Sequence, residues 1–162
     1  MTDTAEMPDF SQITDNLYIS AFPEGRHLTG IQQRNIRLIL SMHWRRPSRS
    51  LDHPQVQLLW LPTIDSPLTP MPMDSLRRGV EAALPVIAAG QAVLVHCKQG
   101  IHRSVAMACC VLVGLGYSAD EAMHLVKEQR PVADPFAGYI QARIRKFEQV
   151  WKAEHPGPVP GA

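Results

Sequence analysis

The sequence predicts a three-layer α/β fold, with a central, largely parallel sheet flanked by helices. Short apolar runs of strand length alternate along the chain with segments whose apolar residues recur at helical spacing. The helical segments carry caps at their starts and glycine or proline at their ends. With 162 residues, 45% of them hydrophobic, the chain can bury one substantial core. Neither a repeat nor a second domain is apparent.

Residues 1–10 read as a flexible polar tail, 11–153 as a single domain and 154–162, ending in HPGPVPGA, as a disordered C-terminal tail. Asn16-Leu17-Tyr18-Ile19-Ser20 alternates and is rich in strand formers, which predicts a short strand. A helix is expected over 25–35, with Leu28, Ile31 and Gln32 on one face. The run from Ile36 to Met42 has the length and apolarity of a buried strand, and a basic loop, His43-Trp44-Arg45-Arg46-Pro47-Ser48-Arg49, follows it. Val56 to Leu61 is a second buried-strand candidate. Four prolines between Pro62 and Pro72 exclude regular structure there.

Asp74 is expected to cap a helix that runs to about Ala89 and closes at Gly90, kinked or broken at Pro85. Ala92-Val93-Leu94-Val95 is a third buried strand. A loop over 97–103 leads into an apolar helix from Ser104 to Leu115, ended by Gly116. Ser118-Ala119-Asp120-Glu121 is a capping box for a helix that stops at Arg130, before Pro131. Asp134-Pro135 is expected to open a last helix with Ile140, Ile144, Phe147 and Trp151 on one face. Parallel strands would bring the loops 43–53, 62–72 and 97–103 to one sheet edge, where ligands bind in such folds.

A formal net charge of +1 gives no global pull toward nucleic acid or an anionic membrane. No apolar run reaches the length of about eighteen residues that a span requires, and the acidic start MTDTAEMPDF lacks a secretory h-region. Three cysteines, two of them adjacent at Cys109 and Cys110, argue against a disulfide framework and for a reducing cytoplasm. The cysteine and histidine spacings fit no zinc template. No metal, cofactor, nucleic-acid or membrane partner is therefore expected.

The chemistry concentrates in Val95-His96-Cys97-Lys98-Gln99-Gly100-Ile101-His102-Arg103-Ser104, which joins a buried strand to a helix. A helix N-terminus offers unpaired N–H groups and the positive end of its dipole. A short loop before it can curl further N–H groups inward as a nest, and Gly100 can supply the positive φ of that curl. Arg103 can grip two phosphate oxygens at once. In that field a thiol at Cys97 should ionise readily. A thiolate facing a phosphate-shaped nest suggests attack on phosphorus, with His96 and Ser104 adding hydrogen bonds that hold the loop and the sulfur.

HCKQGIHRS resembles the HCxxGxxRS signature of the dual-specificity phosphatases, within the Cx5R protein tyrosine phosphatase superfamily. Asn16-Leu17-Tyr18-Ile19 looks like that family's opening strand, and Arg130-Pro131 like its arginine–proline pair. The resemblance implies the dual-specificity phosphatase fold and metal-independent hydrolysis of phosphate monoesters through a phosphocysteine. Catalytic roles would fall to Cys97, Arg103 and Ser104, with Lys98, Gln99, Gly100, Ile101 and His102 at the substrate and His96 in support. Asp65 lies upstream of Cys97 at a separation that looks like the family's general-acid spacing, in a loop after a strand. Asp52 precedes that strand, and Asp74 is better explained as a cap.

The implied substrate is a phosphorylated protein or small molecule. The lack of a pocket-deepening tyrosine segment points to a shallow site open to phosphoserine and phosphothreonine. Lys98 and the run Gly100 to Arg103 also resemble the basic loops of inositol phosphate and phosphoinositide phosphatases. A non-catalytic phosphate-binding module would retain Arg103 but lose Cys97 or Asp65. A rhodanese-like sulfur carrier is disfavoured by the Arg103-Ser104 pair and by Asp65. The basic loop Trp44 to Arg49 either reads the substrate or is solvated, and Cys109 and Cys110 are expected to pack the core.

Overall fold

The computed structural model describes residues 5–157. Its sheet has five strands: β1 (Phe10–Thr14), β2 (Leu17–Ser20), β3 (Ile36–Ser41), β4 (Gln57–Trp60) and β5 (Ala92–His96). They lie in the order β1-β2-β5-β3-β4. The pairs β2–β5, β5–β3 and β3–β4 are parallel, and only β1–β2 is antiparallel. The sheet is therefore mixed, with a parallel centre as expected and a hairpin strand added at one edge.

Alternation along the strands sorts the core into two faces. Leu17, Ile19, Leu38, Leu40, Val93 and Val95 face the larger cluster, which takes in four helices: α2 (Met73–Ala88), α3 (Arg103–Gly114), α4 (Ala119–Gln129) and α5 (Gly138–Glu154). Tyr18, Ile39 and Leu94 face the smaller one, with Ile31 of the short helix α1 (Leu28–Gln33) and with Leu51 and Val56. α3 is the buried axis of the helical layer: every side chain from Val105 to Leu112 is fully enclosed. Cys109 and Cys110 pack there, as their setting implied.

Several expectations are corrected. β1 was not anticipated, and its first residue, Phe10, belongs to the stretch read as a tail. Residues 1–4 and 158–162 of the expected tails lie outside the described residues, and Glu154 is the last residue of α5. The helix expected over 25–35 is a 3₁₀ turn (Gly25–His27) followed by α1. β4 is only half-buried, because it is an edge strand with one neighbour. α2 is capped by Pro72 rather than Asp74: Leu76 N–H already bonds to Pro72 O (3.3 Å), so the helix starts earlier and Asp74 sits in its first turn. α2 also runs on through Pro85 to Ala88, so the chain is not broken there, although Pro85 has no N–H to give to the helical ladder. α5 opens at Gly138, not at Asp134-Pro135. Asp134 N–H is drawn instead to Ile101 O (3.0 Å), and Lys127 Nζ holds Pro131 O and Ala133 O (2.7 and 2.9 Å).

Candidate active site

Because β3, β4 and β5 are parallel, their carboxyl ends share an edge, and the loops beyond them are stitched together. Met42 N–H bonds to His96 O (2.9 Å) and Leu61 N–H to Ser41 O (2.8 Å), and the Thr63 hydroxyl donates to Met42 O. Arg103 Nη1 donates to Thr63 O at 3.0 Å. The loops that carry Cys97 and Asp65 are thereby joined through the guanidinium. These residues enclose a bowl of about 300 Å³ lined by Asp65, Cys97, Lys98, Gln99, Ile101, His102 and Arg103.

Cys97 lies at the base of the bowl. Its sulfur receives Gly100 N–H at 3.3 Å and stands 3.2 Å from the Ser104 hydroxyl. Burial alone would raise the thiol's pKa. The Ser104 hydroxyl and main chain, the Gly100 amide and the Arg103 charge outweigh burial and pull the pKa below its ordinary value. Cys109 and Cys110 behave oppositely: burial without such donors pushes both thiols up. Arg103 is almost fully enclosed, and its Nε has no protein partner among the described residues.

Gly100 adopts the positive φ (69°) that the loop's curl requires. A Cβ there would stand 2.8 Å from Arg130 Nη2 and 2.9 Å from Ser20 O. Arg130, which looked from sequence like the first half of a family pair, is the brace of this loop. Its Nε donates to Gly100 O (2.8 Å) and its Nη2 to Gln99 O (3.0 Å). It is held from behind by the Ser11 hydroxyl (3.0 Å) and the Asp9 carboxylate (2.9 Å). His96 is buried, and its Nδ1 lies 3.1 Å from Cys97 O. Burial drives its pKa down to about 4, so the ring is neutral and acts as a main-chain support rather than a charge beside the sulfur.

Asp65 faces the bowl from the loop after β4. Tyr139 donates its hydroxyl to Oδ1 (2.6 Å), and His102 Nδ1 lies 3.0 Å from Oδ2. Partial burial would raise this carboxyl. The hydrogen bonds from Tyr139 and His102, with the Arg103 charge nearby, outweigh burial and hold it below the usual range. His102 Nε2 lies 3.5 Å from Asp134 on its other side, so the ring is suspended between two carboxylates. Lys98 and Gln99 are exposed at the rim. Tyr139 and Thr63 were not singled out from sequence, and Asp134 was read only as the opening of a helix. They reach the site from α5 and from irregular segments, and no local pattern marks them.

The model for the dual specificity phosphatase catalytic domain matches residues 17–149. The chain is 29% identical over 154 residues to mouse dual specificity phosphatase 28, covering 94% of this chain and 92% of that protein. It is 30% identical over 144 residues to mouse dual specificity protein phosphatase 22, covering 86% and 73%. The crystal structure of human DUSP28(Y102H) superposes with a TM-score of 0.78 at 26% identity, over 91% of this chain and 99% of that one. A thiol-lined bowl on this sheet edge, a family model spanning most of the chain and relatives alike along most of their length together mean that the chain belongs to the dual-specificity phosphatase family, the cysteine-based phosphatases.

Proposed function

We propose that the chain hydrolyses phosphate monoesters in two displacements at Cys97, with Asp65 as proton donor and then acceptor. The observation that carries this reading is the Cys97 sulfur, held by an amide and a hydroxyl at the floor of a bowl onto which Arg103 opens. In the first step the thiolate forms an S–P bond as the P–O bond to the leaving group breaks, and Asp65 gives its proton to the departing oxygen. The spare edge of Arg103 and the amides of the loop meet the charge on the equatorial oxygens. In the second step the ionised Asp65 takes a proton from water as that water attacks phosphorus. The S–P bond breaks, and the Ser104 hydroxyl stabilises the thiolate that leaves. Arg103 and the main chain supply the charge compensation that metal-dependent phosphatases take from an ion.

The bowl is open, and no tyrosine is among its lining residues, which supports access for phosphoserine and phosphothreonine as well as phosphotyrosine. Lys98 at the rim favours a second reading, a soluble inositol phosphate or phosphoinositide as substrate. A reactive thiolate requires reducing surroundings, which supports a cytoplasmic setting. Among the described residues no helix is long and apolar enough to cross a membrane. Turnover of phosphopeptides beside inositol phosphates, with Cys97→Ser as control, tests the proposal. Activity that persists in Cys97→Ser, or no turnover of either class, sinks it.

A further inference from the structure

A second cleft, of about 390 Å³, adjoins the bowl and is lined by Phe22, Glu24, His43, Trp44, Arg45 and Lys98. Lys98 lines both depressions, so one side chain spans the boundary between them. Among the described residues neither Arg45 nor Lys98 has a carboxylate at ion-pair distance, whereas Arg46 of the same loop is taken up by Asp52 (3.0 and 3.1 Å). Glu24, the one acid of the cleft, is already engaged by Arg26 at 2.9 Å.

The walls are built rather than incidental. Arg45 lies over the Phe22 ring, 5.3 Å from its centroid, in a cation–π contact that directs the guanidinium into the cleft. Phe22 packs edge-on against both His43 (5.1 Å) and His96 (5.2 Å), and its N–H bonds to Lys98 O at 3.1 Å. His43 stacks on Trp44 (5.5 Å) and accepts Arg45 N–H at Nδ1 (3.0 Å). Trp60 Nε1 fixes His43 O at 2.9 Å. An aromatic ladder, Trp44–His43–Phe22–His96, thus runs from the cleft to the base of the catalytic loop; it holds the Arg45 guanidinium and, through the Phe22 N–H, the Lys98 main chain. Burial first, and then the charges of Arg103, Arg45 and Lys98, lower the His43 pKa against the opposing pull of the Arg45 main-chain bond, and an anion would meet the same three positive charges.

We infer that this cleft is a second phosphate subsite, in which Arg45 and Lys98 hold a further phosphate group of the substrate molecule whose first phosphate lies over Cys97. The inference rests on the phosphatase reading of the bowl, and it specifies a substrate class, molecules that carry two phosphates within one side chain's reach of each other. Arginine grips such a group in two-pronged fashion, and lysine adds a point charge.

Two matched substrate pairs test it: an inositol monophosphate against a bisphosphate, and a phosphotyrosine peptide with and without a second phosphate. Turnover is measured for wild type, Arg45→Gln and Arg49→Gln, and binding of the same four probes for Cys97→Ser and Cys97→Ser/Arg45→Gln. Arg49 belongs to the same basic loop but does not line the cleft, and Arg45 is exposed, so neither change disturbs the core. Wild type should favour the doubly phosphorylated member of at least one pair by roughly five- to tenfold in kcat/KM. Arg45→Gln should lose most of that preference, and Arg49→Gln should keep it. The pair that responds identifies the source of the second phosphate. Equal use of both members of both pairs overturns the subsite, as does an equal loss in Arg49→Gln, which would reduce the effect to general charge. Should no probe be turned over while Cys97→Ser still prefers the bisphosphates through Arg45, the phosphatase reading fails and the subsite stands.

Discussion

Replacing Arg130 with methionine keeps most of a buried side chain's volume and removes every donor. Arg130 is 1% exposed and makes four hydrogen bonds, two of them to the carbonyls of Gln99 and Gly100. Asp9, its ionic partner, is 70% exposed, so the charge pair itself contributes little. The loss falls on the carbonyls. That of buried Gly100 is stranded, at about 1–3 kcal/mol, while that of Gln99 can turn to water at smaller cost. The sum is about 2–4 kcal/mol, within reach of what removing one partner from a buried polar network costs. In urea this lowers the unfolding midpoint by roughly 1–2 M at an unchanged slope. Because Gly100 also supplies an amide to the Cys97 sulfur, kcat/KM should fall by at least about tenfold, an effect expected of small displacements at a reacting centre. Arg130→Lys, able to reach one carbonyl but not both, should fall between. A methionine variant with the wild-type midpoint and wild-type turnover would refute the bracing role.

Three further outcomes follow from the geometry. Tyr139→Phe deletes a donor that stabilises ionised Asp65, so the carboxyl's pKa rises. Because the first step needs Asp65 protonated, the falling high-pH limb of kcat/KM should move to higher pH by somewhat under about one unit, the displacement from a contact worth on the order of 1 kcal/mol; a pH profile that does not move contradicts the contact. Gly100→Ala puts a Cβ against Ser20 O at a positive φ. It should cost about 1–3 kcal/mol of stability and most of the turnover, read by thermal melting beside a steady-state assay. Asp65→Asn should lower kcat/KM, which reports the first displacement, by roughly 100-fold or more for alkyl phosphates and far less for aryl phosphates with good leaving groups; an equal loss of kcat/KM for both shows that Asp65 is not the acid.

What was legible in the sequence was local. The loop over 97–103 could be read as one unit because Cys97, the curl at Gly100 and Arg103 lie within seven residues, between a buried strand and a helix. The Ser118–Glu121 capping box closes in the structure as written, each side chain reaching the other's main chain at 3.1 Å. What depends on distant partners was not legible. β1 carries Ser11 and Gln12 and alternates weakly, and it forms because β2 offers an edge and Arg130 waits for Ser11. The start of α5 is set by Asp134 bonding to Ile101, across the fold, rather than by the propensity of Asp134-Pro135. Tyr139 resembles any helical tyrosine until α5 is docked beside the Asp65 loop. The neutrality of His96 likewise comes from complete burial, which no spacing encodes.

The central claim is a covalent bond between Cys97 and phosphorus, and it is tested most directly by trapping. Asp65→Asn, mixed with an aryl phosphate whose leaving group needs no proton, should complete the first displacement and stall at the second, for want of a base to activate water. Acid quenching and mass spectrometry of the digested protein should then place a phosphoryl group on the peptide that contains Cys97, and Cys97→Ser should show none. An unmodified Cys97 peptide during active turnover, or a phosphoryl group on another residue, would contradict the account.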